Sequence, residues 1–382
     1  MDSRGGPRGV LSPYAVELPW WQEVWDVVAG ARQVHGIDVV VLRLLKADRS
    51  RPPGGAVTYL AEYDGRLPAG CSRTVADGTG WTAPDPLRMP WASPGGPAAG
   101  LAWAHRMLGG IGAADQQRTW NLSSIWRLEG AWLKEVPPFF GHEPAVLTWL
   151  NTRMPGVAPR LLGADGARML LEDVPGTDRY DAGLDETVAM LDDLLPVQVA
   201  AAGHLTELLA MGVPDRRAEP FTHAARTVVE HWTPELRPDL RASLARLVDR
   251  MPTRFAALAA CGIPNTLVHG DFHRGNVRSD GGTRAILDWG DSTIGHPAAD
   301  VLTLANRAPP EYRQVLLDHW CAHWRSELPA SRPEEALELM RPLDALRGAI
   351  IYHGFLTAIE RSEHPYHAAD PLRCLHEACD PR

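Results

Sequence analysis

Residues 267–290 read LVHGDFHRGNVRSDGGTRAILDWG. Two short apolar runs, Thr266-Leu267-Val268 and Ala285-Ile286-Leu287, predict strands. Between them lie a polar loop, the segment Asn276-Val277-Arg278, and then Asp280-Gly281-Gly282, a hairpin signal. Asp271 and Asn276 therefore fall in one tight loop, and Asp288 closes the strand that returns beside it. The apolar runs anchor the backbone while the three polar side chains face one cleft.

Phosphoryl transfer uses such a set. One carboxylate orients the attacking hydroxyl and accepts its proton, and a second carboxylate with an amide holds Mg²⁺ against the phosphates. The order His269-Gly270-Asp271, Asn276, Asp288-Trp289-Gly290 follows the pattern H-x-D-x-x-x-x-N and then D-x-G, the catalytic-loop and metal-loop pair of kinases. A polar hairpin with scattered acids accounts for any one of these residues. The full set, in order and between two strands, favours the catalytic reading.

HGDFHRGNV followed by ILDWGDSTIGHPAADV resembles the aminoglycoside phosphotransferase and choline kinase group of small-molecule kinases. Gly270, where protein kinases usually carry Arg, and Trp289, where they carry Phe, both fit that group. Only a short turn fits between Asp288 and Asp300, too little for an activation loop, and no A-P-E follows. The resemblance implies an α+β, two-lobed protein-kinase-like fold, with a small β-rich N-lobe and a large helical C-lobe. It also implies ATP as donor with GTP left open, Mg²⁺ as cofactor, and a small-molecule hydroxyl as acceptor, such as an aminoglycoside or another antibiotic. On this basis Asp271 is the catalytic residue, and Asn276 and Asp288 are the metal ligands.

Composition sets the outer limits. The chain has 382 residues, 45% of them hydrophobic, enough for one large core or two to three smaller ones. No apolar run approaches the roughly 18 residues of a membrane span, and the first ten residues contain no apolar signal segment. Five cysteines at 71, 261, 321, 374 and 379, without C-x-x-C pairing, suit thiols in a reducing cytoplasm better than disulfides or zinc. Cys374, His376 and Cys379 match no common metal spacing. A net charge of −9 argues against a nucleic-acid partner. Of 38 basic residues only two are lysines, Lys46 and Lys134. A lysine kept against that background is a candidate for a role needing a compact point charge on phosphate, where the planar arginine fork is less suited.

Along the chain, residues 1–90 predict an additional N-terminal α/β domain, residues 91–175 the N-lobe and residues 176–382 the C-lobe. Trp20–Gly30 has helical spacing, and Ile37–Leu45 and Ala56–Tyr63 are β-rich. Residues 66–100 are rich in Pro and Gly and read as a linker or wrapping loop, with a short helix at Ala98–Leu108 that Gly109-Gly110 ends. Gln117–Trp120 and Ser124–Leu128 form the hairpin that, by the resemblance, covers the phosphates. Its loop lacks glycine; Ser123 and Ser124 are donor candidates, and an ordinary polar turn is the alternative. Lys134 shares a face of the next strand, Ala131–Val136, with Trp132. Glu143, in the first turn of a helix over His142–Asn151, is the candidate partner of Lys134; favourable placement near the helix dipole is the alternative.

Arg160–Gly163 and Arg168–Glu172 predict two further strands. By the resemblance, the exit through Glu172 and Val174 is the hinge whose backbone meets the nucleotide base; a plain strand-to-helix connection is the alternative. From Leu184 the chain is mainly helical, with C-terminal helices at Tyr312–Leu328, Pro333–Leu346 and Ala349–Arg361. Asp300 resembles the aspartate that braces the catalytic loop. Asp291, Glu360 and Glu363 are acceptor-contact candidates, with helix capping or surface charge as the alternative. Two rivals remain: a kinase of choline, a sugar or an amino alcohol, and a pseudokinase or binding module.

Overall fold

The computed structural model describes residues 9–18, 20–49, 55–63 and 83–379. Residues 66–82 of the Pro/Gly-rich stretch, with Cys71 among them, lie outside the described residues. The chain forms two compact units. The first comprises Met1–Phe139, Leu162–Asp173 and Phe355–Ala368, and the second Phe140–Leu161, Val174–Gly354 and Ala369–Arg382.

The first unit is built on a five-stranded sheet. Its strands are β3 (Asp115–Trp120), β4 (Ser123–Leu128), β5 (Ala131–Glu135), β6 (Leu161–Asp165) and β7 (Arg168–Glu172), in the order β3-β4-β5-β7-β6. The pairs β3–β4, β4–β5 and β5–β7 are antiparallel. Trp126, Leu128, Ala131, Leu133 and Leu170 pack on Trp103 and Ala104 of helix α2 (Gly96–Leu108), which Gly109 ends in the left-handed conformation.

Before this sheet come helix α1 (Trp25–His35) and an antiparallel pair, β1 (Val39–Ala47) and β2 (Val57–Tyr63). The helix starts five residues later than the Trp20–Gly30 reading and runs on to His35, where Gly36 ends it. Trp21 and Val24 are buried ahead of it, and Glu23 bridges to Arg118 on β3. The apolar spacing there reflects burial against a sheet, which periodicity alone does not separate from a helical face. Gln116 stitches β1 to β3: its Oε1 accepts from Val41 N at 2.9 Å and its Nε2 donates to Val41 O at 2.7 Å.

The second unit is mainly helical. Helix α3 (Glu143–Arg153) opens it, followed by α4 (Leu184–Ala201), α5 (Leu205–Ala210), α6 (Ala218–Trp232), α7 (Pro238–Asp249) and α8 (Met251–Ala260). Two small sheets carry the loops. Strand β9 (Thr266–Val268) pairs with β12 (Thr293–Gly295), and β10 (Val277–Ser279) lies between β11 (Arg284–Ile286) and β8 (Thr177–Asp178). The hairpin expected around Asp280-Gly281-Gly282 is therefore β10–β11. The partner of β9, however, is β12, three residues too short to show alternation.

Helices α9 (Ala298–Arg307), α10 (Arg313–Glu327), α11 (Pro333–Leu356) and α13 (Asp370–Cys379) complete the second unit, and the short α12 (His364–His367) belongs to the first. Helix α11 runs unbroken where two helices were expected. Gly348 is a point of close approach there: an added Cβ would sit 3.0 Å from Cys374 Sγ.

Candidate active site

In the helical unit the loop after β9 is held by buried hydrogen bonds. Asp300, in the first turn of α9, accepts from His269 N through Oδ2 and from Gly270 N through Oδ1, both at 2.9 Å. Gln198 Nε2, from the interior of α4, donates to the same Oδ2 at 2.8 Å. The side chain of Asp300 is fully buried, so these donors supply what water would otherwise give. Arg347, from α11, donates to Gly270 O at 2.5 Å and to Thr303 Oγ1 at 2.9 Å. Its charge is met by Asp344, 2.9 Å away.

His269 is fixed in one neutral form. Its Nδ1 accepts from Asp271 N at 3.3 Å, so Nε2 carries the hydrogen and donates to Leu287 O at 2.8 Å. Burial lowers its pKa, which agrees with that assignment. One ring thus ties the Asp271 loop to the end of the β11 strand that leads into Asp288.

Gly270 adopts φ +89°, and a Cβ there would lie 2.1 Å from Asp291 O. Glycine is required by both backbone conformation and space. Asp288 has φ 58° and ψ 59°, and is the one non-glycine residue with positive φ among the described residues. That conformation costs about 1–2 kcal/mol and is typical of functional sites. It is sustained by Trp289, which is fully buried and donates Nε1 to Ile286 O at 2.9 Å.

Asn276 donates Nδ2 to Asp271 O at 2.9 Å, leaving its carbonyl Oδ1 as a hard oxygen donor. Asp271 contacts Arg307, the last residue of α9, at 2.7 Å, and His273 at 3.5 Å. Burial would push the Asp271 carboxyl up, but His273 and Arg307 together hold it below the usual carboxylate range. Asp291 goes the other way, pushed up to about 7 by burial and by the charge of Asp271, with Asp288 and Glu143 adding to it. The helical unit therefore gathers Asp271, Asn276, Asp288, Asp291 and Glu143 into one acidic locus. Glu143 is the first residue of α3 and is buried.

The sheet unit holds the other candidates. Lys134 on β5 is 7% exposed. It pairs with Ile125 on β4 and Met169 on β7, so Ser123, two residues from Ile125, shares its face. Ser124 pairs with Glu135 on the opposite face, toward α2. Ser123 Oγ accepts from Trp120 Nε1 at 2.9 Å. Glu135 is taken by Arg168 at 2.7 Å.

Glu172 ends β7, and the division between the units falls after Asp173. Val174 O accepts from Arg278 Nε at 2.7 Å. Glu360 and Glu363 are buried in the sheet unit, Glu360 on Arg88 at 2.9 Å and Glu363 on Asn121. Arg307, Arg347 and Gln198 were not anticipated. The i,i+3 pair Asp344–Arg347 and a glutamine at an otherwise apolar position of α4 were the available signals.

A β-rich part carrying a strand lysine, followed by a helical part carrying the H-x-D-x-x-x-x-N and D-x-G loops, is a protein-kinase-like fold. Solved structures share it. Wild-type aminoglycoside 2'-phosphotransferase-IIIa in its GDP complex is 16% identical with a TM-score of 0.50, covering 73% of this chain and 98% of that one. The choline kinase LicA from Streptococcus pneumoniae is 14% identical with a TM-score of 0.52, over 73% and 98%. No curated protein sequence matches the chain. Residues 127–332, more than half of the chain, match the phosphotransferase enzyme family, and the chain belongs to it. Among the described residues no helix is long and apolar enough to cross a membrane. No group of three or more His, Cys, Asp or Glu there is arranged to hold a metal; the expected pair of one carboxylate and one amide is smaller than that.

Proposed function

We propose that the protein transfers the γ-phosphoryl group of ATP to a hydroxyl of a small molecule. The observation that carries this reading is the caged loop: Asp271 held ionised, Asn276 fixed on its main chain, and Asp288 locked in a left-handed conformation. Asp271 orients the acceptor hydroxyl and takes its proton as the oxygen attacks the γ-phosphorus and the bond to the β-phosphate oxygen breaks. Lys134 binds phosphate oxygens as a point charge, and Glu143 belongs to the acidic locus of the helical unit. Ser123 lies on the lysine's face and lends a donor, and the backbone at Glu172 and Val174 receives the base edge.

Magnesium fits this donor set. Asp288 and Asn276 Oδ1 are hard oxygen ligands, and the carboxylates that raise Asp291 form a negative locus suited to a cation. When bound, Mg²⁺ neutralises charge on the phosphates. Asp291 is retained as an acceptor-side candidate. Glu360 and Glu363 are assigned to the interior of the sheet unit, on their observed partners.

The test is an acceptor panel of aminoglycosides, macrolides, choline and simple sugars, with ATP or GTP and Mg²⁺, read by release of ADP or GDP and the mass of the product. Transfer to a hydroxyl supports the reading. Mg·ATP and Mg·GTP that neither bind nor turn over would leave a binding module in its place.

A further inference from the structure

The turn between β3 and β4 is unusual for a hairpin tip, because it is buried. Asn121 is 4% exposed, and Ser123 and Ser124 are buried beside it. The turn contains no glycine, and none of its residues has positive φ. Three contacts fix it. Trp91 Nε1 donates to Trp120 O at 3.0 Å, Trp120 Nε1 donates to Ser123 Oγ at 2.9 Å, and Asn121 N donates to Glu363 Oε2 at 3.3 Å. Glu363 is 1% exposed.

The segment around Glu363 is itself anchored in the sheet unit. Tyr366 OH donates to Ala47 O at 3.1 Å and accepts from Ala47 N at 2.6 Å. His367 lies against Trp120, ring centroids 6.0 Å apart, and Glu360 is paired with Arg88. The chain reaches Glu363 directly from α11, the helix whose Arg347 holds Gly270 O.

We infer that Glu363 is a positioning residue for the nucleotide turn: its carboxyl catches the Asn121 amide and holds a glycine-free hairpin tip ready for phosphate. The inference rests on the phosphotransferase reading, which assigns that turn to the donor nucleotide. A turn that cannot draw on glycine must be preset by its neighbours, and a buried carboxyl on a main-chain N–H does so without occupying the face that carries Ser123 and Lys134.

The experiment is calorimetric titration of the full chain with Mg·ATP, comparing the unsubstituted protein with Glu363→Gln and Glu363→Ala. Glutamine keeps the accepting oxygen, so Glu363→Gln should bind within about twofold of the parent, and Glu363→Ala about tenfold more weakly at a temperature where it stays folded. Hydrogen exchange of the Asn121 amide in the unsubstituted protein is the second readout. Protection without nucleotide is expected, and it decides the matter if the alanine variant does not fold. Parent-like binding by Glu363→Ala, equal weakening by both variants, or rapid exchange at Asn121 would overturn the inference alone. Failure of the unsubstituted protein to bind Mg·ATP would remove the phosphotransferase reading, and this inference with it.

Discussion

Gly270 shows how much a single position decides. Protein kinases usually place a long cation there; in this chain the backbone at φ +89° runs so close to Asp291 O that no Cβ fits. Gly270→Ala should destabilise the fold by about 2–4 kcal/mol, combining left-handed strain with displacement of Asp291. Chemical denaturation reads the stability, and nucleotide turnover should fall with it because Asp271 follows in the chain. An alanine variant with parental stability would show that the loop takes another course. The grouping of Asp271, Asn276 and Asp288 in one locus was legible from sequence because the motif places these residue types in a fixed order around one loop. Arg307 was not, since nothing local marks an arginine at a helix end as the partner of a carboxylate 36 residues earlier.

Elements were legible where local pattern governs them. Strand β7 occupies the predicted Arg168–Glu172, and α2 ends at the predicted glycine. The misreadings have one cause, tertiary packing that overrides pattern. Trp21 and Val24 are buried outside a helix, Gly348 sits within one, and β12 is too short to alternate. The link from β1 to β3 belongs to the same class, because a glutamine side chain takes the place of a ladder hydrogen-bond pair. Gln116→Ala would leave Val41 N and O unsatisfied in a buried setting, costing about 2–4 kcal/mol. Denaturant unfolding measures that loss, and hydrogen exchange should place it at β1. An unchanged midpoint would mean that the strand does not depend on the side chain.

At the scale of the molecule, the sheet unit carries Lys134 and the buried hairpin, and the helical unit carries the acidic loops. Buried acids also give the whole fold a pH dependence. Glu363, usually near 4.5, is pushed up to about 8 by burial, with Glu360 adding to the rise against the hydrogen bonds from Asn121. The folded state therefore binds this proton more tightly than the unfolded chain. The stabilisation is complete below about pH 4.5 and is lost as pH rises toward 8. Melting temperature should fall across that window, and Glu363→Gln should flatten the Glu363 part of the slope. An identical slope in the variant would remove Glu363 as its source.

The central proposal is that the protein binds Mg·ATP with Lys134 on phosphate and Asp288 on magnesium. Titration calorimetry with Mg·ATP tests it most directly, on the unsubstituted protein and on Lys134→Ala and Asp288→Ala. The account predicts magnesium-dependent binding in the parent and a loss of about 2–3 kcal/mol, roughly 30- to 150-fold in affinity, in each variant. Binding that persists at parental strength in either variant would contradict it.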